Sequence, residues 1–139
     1  WREYYALRTE LALRRGDYDA AQEEFDKAWA ADKAHGSVHS GLFGYTALRA
    51  AELALHRGEL AKGLSGLALF ESQYPLPLKQ GLMRGMLLWA RARLLQRSGQ
   101  DVRGRALAAR ALEVMDRLGP GYEPMRVEIR AWLKKHAPA

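Results

Sequence analysis

From Tyr4 onward the apolar residues fall three and four positions apart, and glycine interrupts the pattern at evenly separated places. That spacing gathers them on one side of an α-helix, and Ala, Leu, Arg and Glu dominate between the breaks, all strong helix formers. The first predicted helix runs from about Arg2 to Arg15, carries Tyr4, Tyr5, Leu7, Leu11 and Ala12 in a broad apolar stripe, and stops at Gly16. Asp17 or Asp19 can accept the free amide hydrogens that open the second helix. There Ala21, Phe25, Ala28 and Trp29 continue the pattern to Ala34, with Phe25 and Trp29 expected in the core.

Residues His35 to Ser40 have the composition of a turn. A third helix then runs to about Arg57 through Leu42, Tyr45, Leu48, Ala51 and Leu55, where Gly58 breaks it. The fourth spans about Leu60 to Ser72 and cannot continue through Pro75 and Pro77. The fifth covers about Leu78 to Arg97, the sixth Val102 to Leu118 and the seventh Glu123 to Lys135. Pro124 falls in the first turn of the seventh, where its missing amide hydrogen costs nothing. That last helix is expected to cover the open edge of helices five and six.

Short connections between helices this long make antiparallel hairpins. Placing Gly16, Gly58 and Gly99 in register aligns Ala21 with Gly63 and Gly104, Phe25 with Leu67 and Ala108, and Ala28 with Phe70 and Ala111. A period near 40 residues is a signature of stacked helical repeats.

The segment Gly16-Asp17-Tyr18-Asp19-Ala20-Ala21, followed by Phe25 and Ala28, resembles the second-helix signature of the tetratricopeptide (TPR) family. Thr9, Ala51 and Ala92 stand at its small position in the first helix. The leucine usual just before it is replaced by Arg8, Ala50 and Arg91. The resemblance implies an all-α fold of about seven helices, a right-handed superhelical stack of antiparallel helix pairs in a single TPR-like domain. Its units would be residues 2–34, 39–74 and 78–118, with a capping helix over 122–136. A non-repeating bundle, or another helical repeat, would keep most helix boundaries.

In such arrays the first helix of each unit lines a groove for a peptide or partner helix. Carried over residue by residue, the groove falls on Glu3, Ala6, Glu10, Leu13 and Arg14, then Tyr45, Leu48, Glu52, Leu55 and His56. The third unit adds Met86, Trp89, Arg93, Gln96 and Arg97. The expected partner-binding residues are Glu10, Arg14, Tyr45, Glu52, His56, Trp89, Arg93 and Arg97, with Arg93 and Arg97 suited to gripping a carboxylate. Glu10 and Ala6 depart from the amide and basic residue used to clamp a chaperone's C-terminal carboxylates. Units longer than the standard repeat resemble the arrays attached to bacterial transcription regulators and signalling ATPases. The resemblance therefore implies non-catalytic recognition of a protein, a peptide or a neighbouring domain, with an effector-sensing regulatory role as the alternative.

Charge and chemistry adjust this picture. The chain has 139 residues, a formal net charge of +6 and no cysteine, so disulfides and thiol chemistry are excluded. Residues 71–139 carry thirteen Lys or Arg against six Asp or Glu, whereas residues 1–70 carry nine against ten. Arg84, Arg91, Arg93, Arg97, Arg103, Arg105 and Arg110 would permit a salt-sensitive phosphate contact. A short recognition helix and a row of stacking aromatics are missing, which ranks nucleic acid behind a protein partner.

His35, His39, His56 and His136 have no third ligand at metal-site spacing, and neither Ser37 nor Ser40 sits in a nucleophile elbow. Glu10, Glu23 and Glu24 are expected on exposed faces. No cofactor, no metal and no enzymatic activity are expected. No apolar run approaches the roughly 20 residues of a membrane span, and a cytoplasmic location is expected. The start at Trp-Arg-Glu suggests a piece of a larger protein. Trp1, Tyr4 and Tyr5 would then form an aromatic patch suited to self-association or to a lost interdomain contact.

Overall fold

Three hairpins of this chain turn the same corner. At each, a glycine takes a left-handed conformation, with φ of 74° at Gly16, 73° at Gly58 and 86° at Gly99. A side chain with a Cβ is strained there, which is why glycine recurs at this interval. The hydrogen bonds repeat as well. Gly16 N–H donates to Leu13 O and Asp17 N–H to Ala12 O, and Gly58 and Glu59 do the same to Leu55 and Ala54. Gly99 and Gln100 repeat the arrangement on Gln96 and Leu95. Asp17, Glu59 and Gln100 then accept, through their carbonyls, the first bond of the following helix from Ala21, Gly63 and Gly104. The repeat read from sequence is therefore a repeat of backbone geometry.

The computed structural model describes residues 2–34, 42–73 and 81–138. Trp1, the turn from His35 to Ser40, and Pro75 and Pro77 lie outside them. Among the described residues the fold is all-α, with seven α-helices: α1 Arg2–Arg14, α2 Tyr18–Ala34, α3 Leu42–Arg57, α4 Leu60–Gln73, α5 Gly81–Arg97, α6 Asp101–Asp116 and α7 Glu123–Lys135. A 3-10 turn, Pro120–Tyr122, leads into α7. The chain forms two compact units, Trp1–Tyr74 and Pro75–Ala139.

In the first unit α1 packs on α2 and α3 on α4, while α3 also meets both α1 and α2. Ala12, Ala21 and Leu53 form a buried cluster there, flanked by Leu13, Tyr18, Ala20 and Phe25. The small residues Thr9 and Ala21 are fully buried. Glu24, expected at the surface, is buried instead. It shares a helix face with Ala21 and Ala28, which brings it against α1, and its Oε1 lies 3.1 Å from Arg8 Nη2 and 3.5 Å from Lys27 Nζ. Its Oε2 has no hydrogen-bond partner. Phe25 and Trp29 are half-buried rather than core residues.

In the second unit α5 packs on α6 and α6 on α7. The two hairpin helices come close at Gly104, where an added Cβ would stand 2.9 Å from Ala92 O and 3.1 Å from Gln96 N. Trp89, Ala92, Ala108, Ala111, Met115 and Ile129 make the core. Helix α7 contributes Ile129 to it, fully buried, and sets Trp132 edge-on to Trp89 with ring centroids 5.3 Å apart. Burial of one such apolar side chain contributes about 1.5–3 kcal/mol.

Candidate functional site

Within the first unit, three helices each turn one face toward a common space. Helix α2 supplies Gln22, Phe25, Asp26 and Trp29; α3 supplies Ala47, Ala50, Ala51 and Ala54; α4 supplies Gly63, Gly66, Leu67 and Phe70. Each set follows the same spacing, i, i+3, i+4 and i+7, which is one side of an α-helix. The α3 face is alanine and the first half of the α4 face is glycine, so the space is not filled by the chain's own side chains. A cleft of about 450 Å³ remains, completed by Leu53 and Leu69. The rings of Phe25 and Trp29 lie stacked along one wall, 6.4 Å apart.

The polar lining residues, Gln22, Asp26, Glu59 and Lys62, are engaged with one another or with Arg57 beside the cleft. Gln22 Nε2 donates to Asp26 Oδ1 at 2.9 Å, and Lys62 Nζ lies 3.4 Å from Glu59 Oε2. Arg57 Nε donates to Glu59 Oε1 at 2.7 Å, and Arg57 Nη1 donates to Asp19 Oδ1 at 2.9 Å. The Arg57 bond, helped by Lys62, holds the Glu59 carboxyl below the usual glutamate range. In turn, the bonds to Glu59 and Asp19 push the Arg57 guanidinium up. This arrangement can receive apolar groups against its alanine, glycine and aromatic lining and match polar ones at its four polar residues.

Of the residues expected along the first helices, Glu10, Arg14, Tyr45, Glu52 and His56 fall in the first unit, and Trp89, Arg93 and Arg97 in the second. Glu10 is half-buried between two arginines, with Arg14 Nη2 at 2.8 Å and Arg49 Nη2 at 3.7 Å. His56 is exposed and lies flat on Tyr18, with ring centroids 4.9 Å apart. Glu52 is half-buried, and Tyr45 stands in α3 with its side chain outside the described residues.

Trp89 does not line a surface: it is 4% exposed, a core residue of its unit, so its expected role as a contact residue is corrected. The α5 face that carries it is the one α7 covers through Trp132. Arg93 stacks over the Trp89 ring at 4.8 Å, and Arg97 is exposed in the last turn of α5.

Ala50, Ala51 and Gly63 enter the sequence reading as repeat positions, and none of the α3 alanines or α4 glycines as the lining of a site. The signal was present in their identical spacing, yet small residues at helix crossings read equally well as tight packing. Among the described residues no group of three or more His, Asp or Glu comes together as a metal site, and no helix is long and apolar enough to cross a membrane. No family model matches the chain, and neither a curated protein nor a solved structure shows significant similarity to it.

Proposed function

We propose that the chain is a TPR-like array that recognises a protein partner without performing chemistry on it. Its contact site is the cleft between α2 and α4. The observation that carries this reading is the cleft itself, lined mostly by apolar residues with Gln22, Asp26, Glu59 and Lys62 among them. An amphipathic helix or peptide laying two or three apolar side chains into such a groove gains about 1.5–3 kcal/mol for each one fully buried. The ion-paired faces of α1 and α3 around Glu10, Arg49 and His56 then act as a flanking polar surface.

Gly66 provides the test. An added Cβ there meets nothing within 4 Å, so Gly66→Leu fills the cleft while the fold is kept. A protein captured at moderate salt from the source lysate and identified should be lost on Gly66→Leu and retained on Arg14→Ala with His56→Ala. The opposite result would move recognition to the first-helix faces. The cleft volume also favours a second reading, a regulatory domain that binds a small apolar effector, as in a transcription regulator or signalling ATPase. A solvatochromic apolar dye displaced by small-molecule extract, with no protein retained, would favour that reading.

A further inference from the structure

The outer side of α1 carries Tyr4, Leu7 and Leu11, spaced three and four residues apart, which puts them on one helix face. They are 50%, 58% and 41% exposed. The chain's own repeat shows what such a face does elsewhere. A shift of 42 residues, the interval from Gly16 to Gly58, takes Leu11 to Leu53 and Leu7 to Arg49. Leu53 is 2% exposed and packs in one cluster with Ala12 of α1 and Ala21 of α2. Arg49 reaches Glu10 of α1 at 3.7 Å. The face of α3 in this register is therefore the one that receives the preceding hairpin.

We propose that the Tyr4–Leu7–Leu11 face of α1 is the acceptor for a further α-hairpin of this same repeat, joined ahead of α1 in the polypeptide. It is seated on α1 as α1 and α2 are seated on α3. Residues 35–41 are the whole connection from α2 to α3, so the same length joins the added hairpin. A second copy is the weaker occupant. An α1-to-α1 contact would bury three side chains on each copy, far below the roughly 800 Å² per partner of a stable dimer. End-to-end stacking is a poor match too, because α7 turns Glu128, Arg130 and Lys134 to solvent beside one large apolar side chain, Val127.

The test is to fuse a copy of residues 1–42 ahead of Trp1, which preserves the 42-residue interval, and to follow amide exchange in the original α1. In a stack of repeats each added neighbour stabilises the unit it covers. Exchange across Tyr4 to Leu11 should slow by about tenfold or more, and the extended chain should unfold in one transition at a higher midpoint. Leu7→Glu with Leu11→Glu, placed only in the original α1, should abolish both effects. In the chain without the extension the same pair should leave the midpoint nearly unchanged, since both side chains are exposed. Unaltered α1 exchange in the fusion, with the added hairpin melting separately, would overturn the proposal. So would a sedimentation mass for the original chain that rises with concentration and is cut back by Leu7→Glu, which would give the face to a second copy.

Discussion

The indoles of Trp89 and Trp132 meet edge to face at 5.3 Å, and this contact ties α5 to α7. A buried tryptophan of this kind is a packing residue first. Trp89→Ala should therefore lower the stability of the second unit by about 3–5 kcal/mol, read as a drop in the denaturant midpoint. Arg93 loses its stacking surface in the same variant. A Trp89→Ala protein of unchanged midpoint but weakened partner binding would return the residue to a contact surface.

Two helical glycines should respond in opposite directions to the same change. At Gly66 a methyl group enters open space, so Gly66→Ala should stabilise the first unit by about 0.5–1 kcal/mol through helix propensity alone. At Gly104 the methyl would sit 2.9 Å from the Ala92 carbonyl, backbone that cannot swing aside. Gly104→Ala should cost about 1–3 kcal/mol through overpacking. Thermal melts of the two variants beside the parent check both signs in one experiment.

The helix pattern was legible because it depends on local spacing and on turn chemistry. The predicted seventh helix, Glu123 to Lys135, matches α7 to the residue, and the glycines marked all three hairpin turns. What the pattern could not reveal was which side of an all-apolar stripe meets a neighbour. Leu7 and Leu11 belong to the apolar stripe of the first helix and are exposed, whereas Glu24 read like a surface acid and is buried between Ala21 and Ala28. The cleft was hidden for a related reason. It is made by the absence of side chains on α3 and α4, and a missing volume has no signature until three helices are placed around it.

Acid should loosen both units. The Arg126 bond, with Arg130 beside it, holds the Glu123 carboxyl below the usual glutamate range, as Arg57 does for Glu59. A depressed carboxyl contributes stability that is fully present above the ordinary glutamate range and is lost as pH falls through the depressed value. Glu123 is exposed and Glu59 only half-buried, so the effect is a modest slope that salt weakens further. Glu123→Gln should flatten the acid limb of the stability curve for α7, and the same limb should stay steep for a surface variant such as Glu113→Gln.

Arg126 makes the sharper prediction, because it is buried and joins two helices. Its Nη1 donates to Met115 O at 2.8 Å, a carbonyl in the last turn of α6, and its Nε donates to Glu123 Oε2 at 2.9 Å. A cation there also faces the negative end of the α6 dipole. Arg126→Met preserves most of the stem volume but removes the charge-assisted bond to the Met115 carbonyl, which keeps only the Leu118 N–H at 3.1 Å, and should cost about 1–3 kcal/mol. The loss should be local. Amide exchange should accelerate in α7 while α5 and the first half of α6 keep their protection, because α7 is then held by the packing of Ile129 and Trp132 and by two longer polar contacts, Arg130 to Asp116 at 3.4 Å and Arg105 to the His136 carbonyl at 3.3 Å. Arg126→Lys should recover part of the loss, since one ammonium can reach the carbonyl or the carboxylate but lacks the fork that serves both. Full recovery by lysine would mean that charge alone, and not the two-headed geometry, fastens α7 to α6.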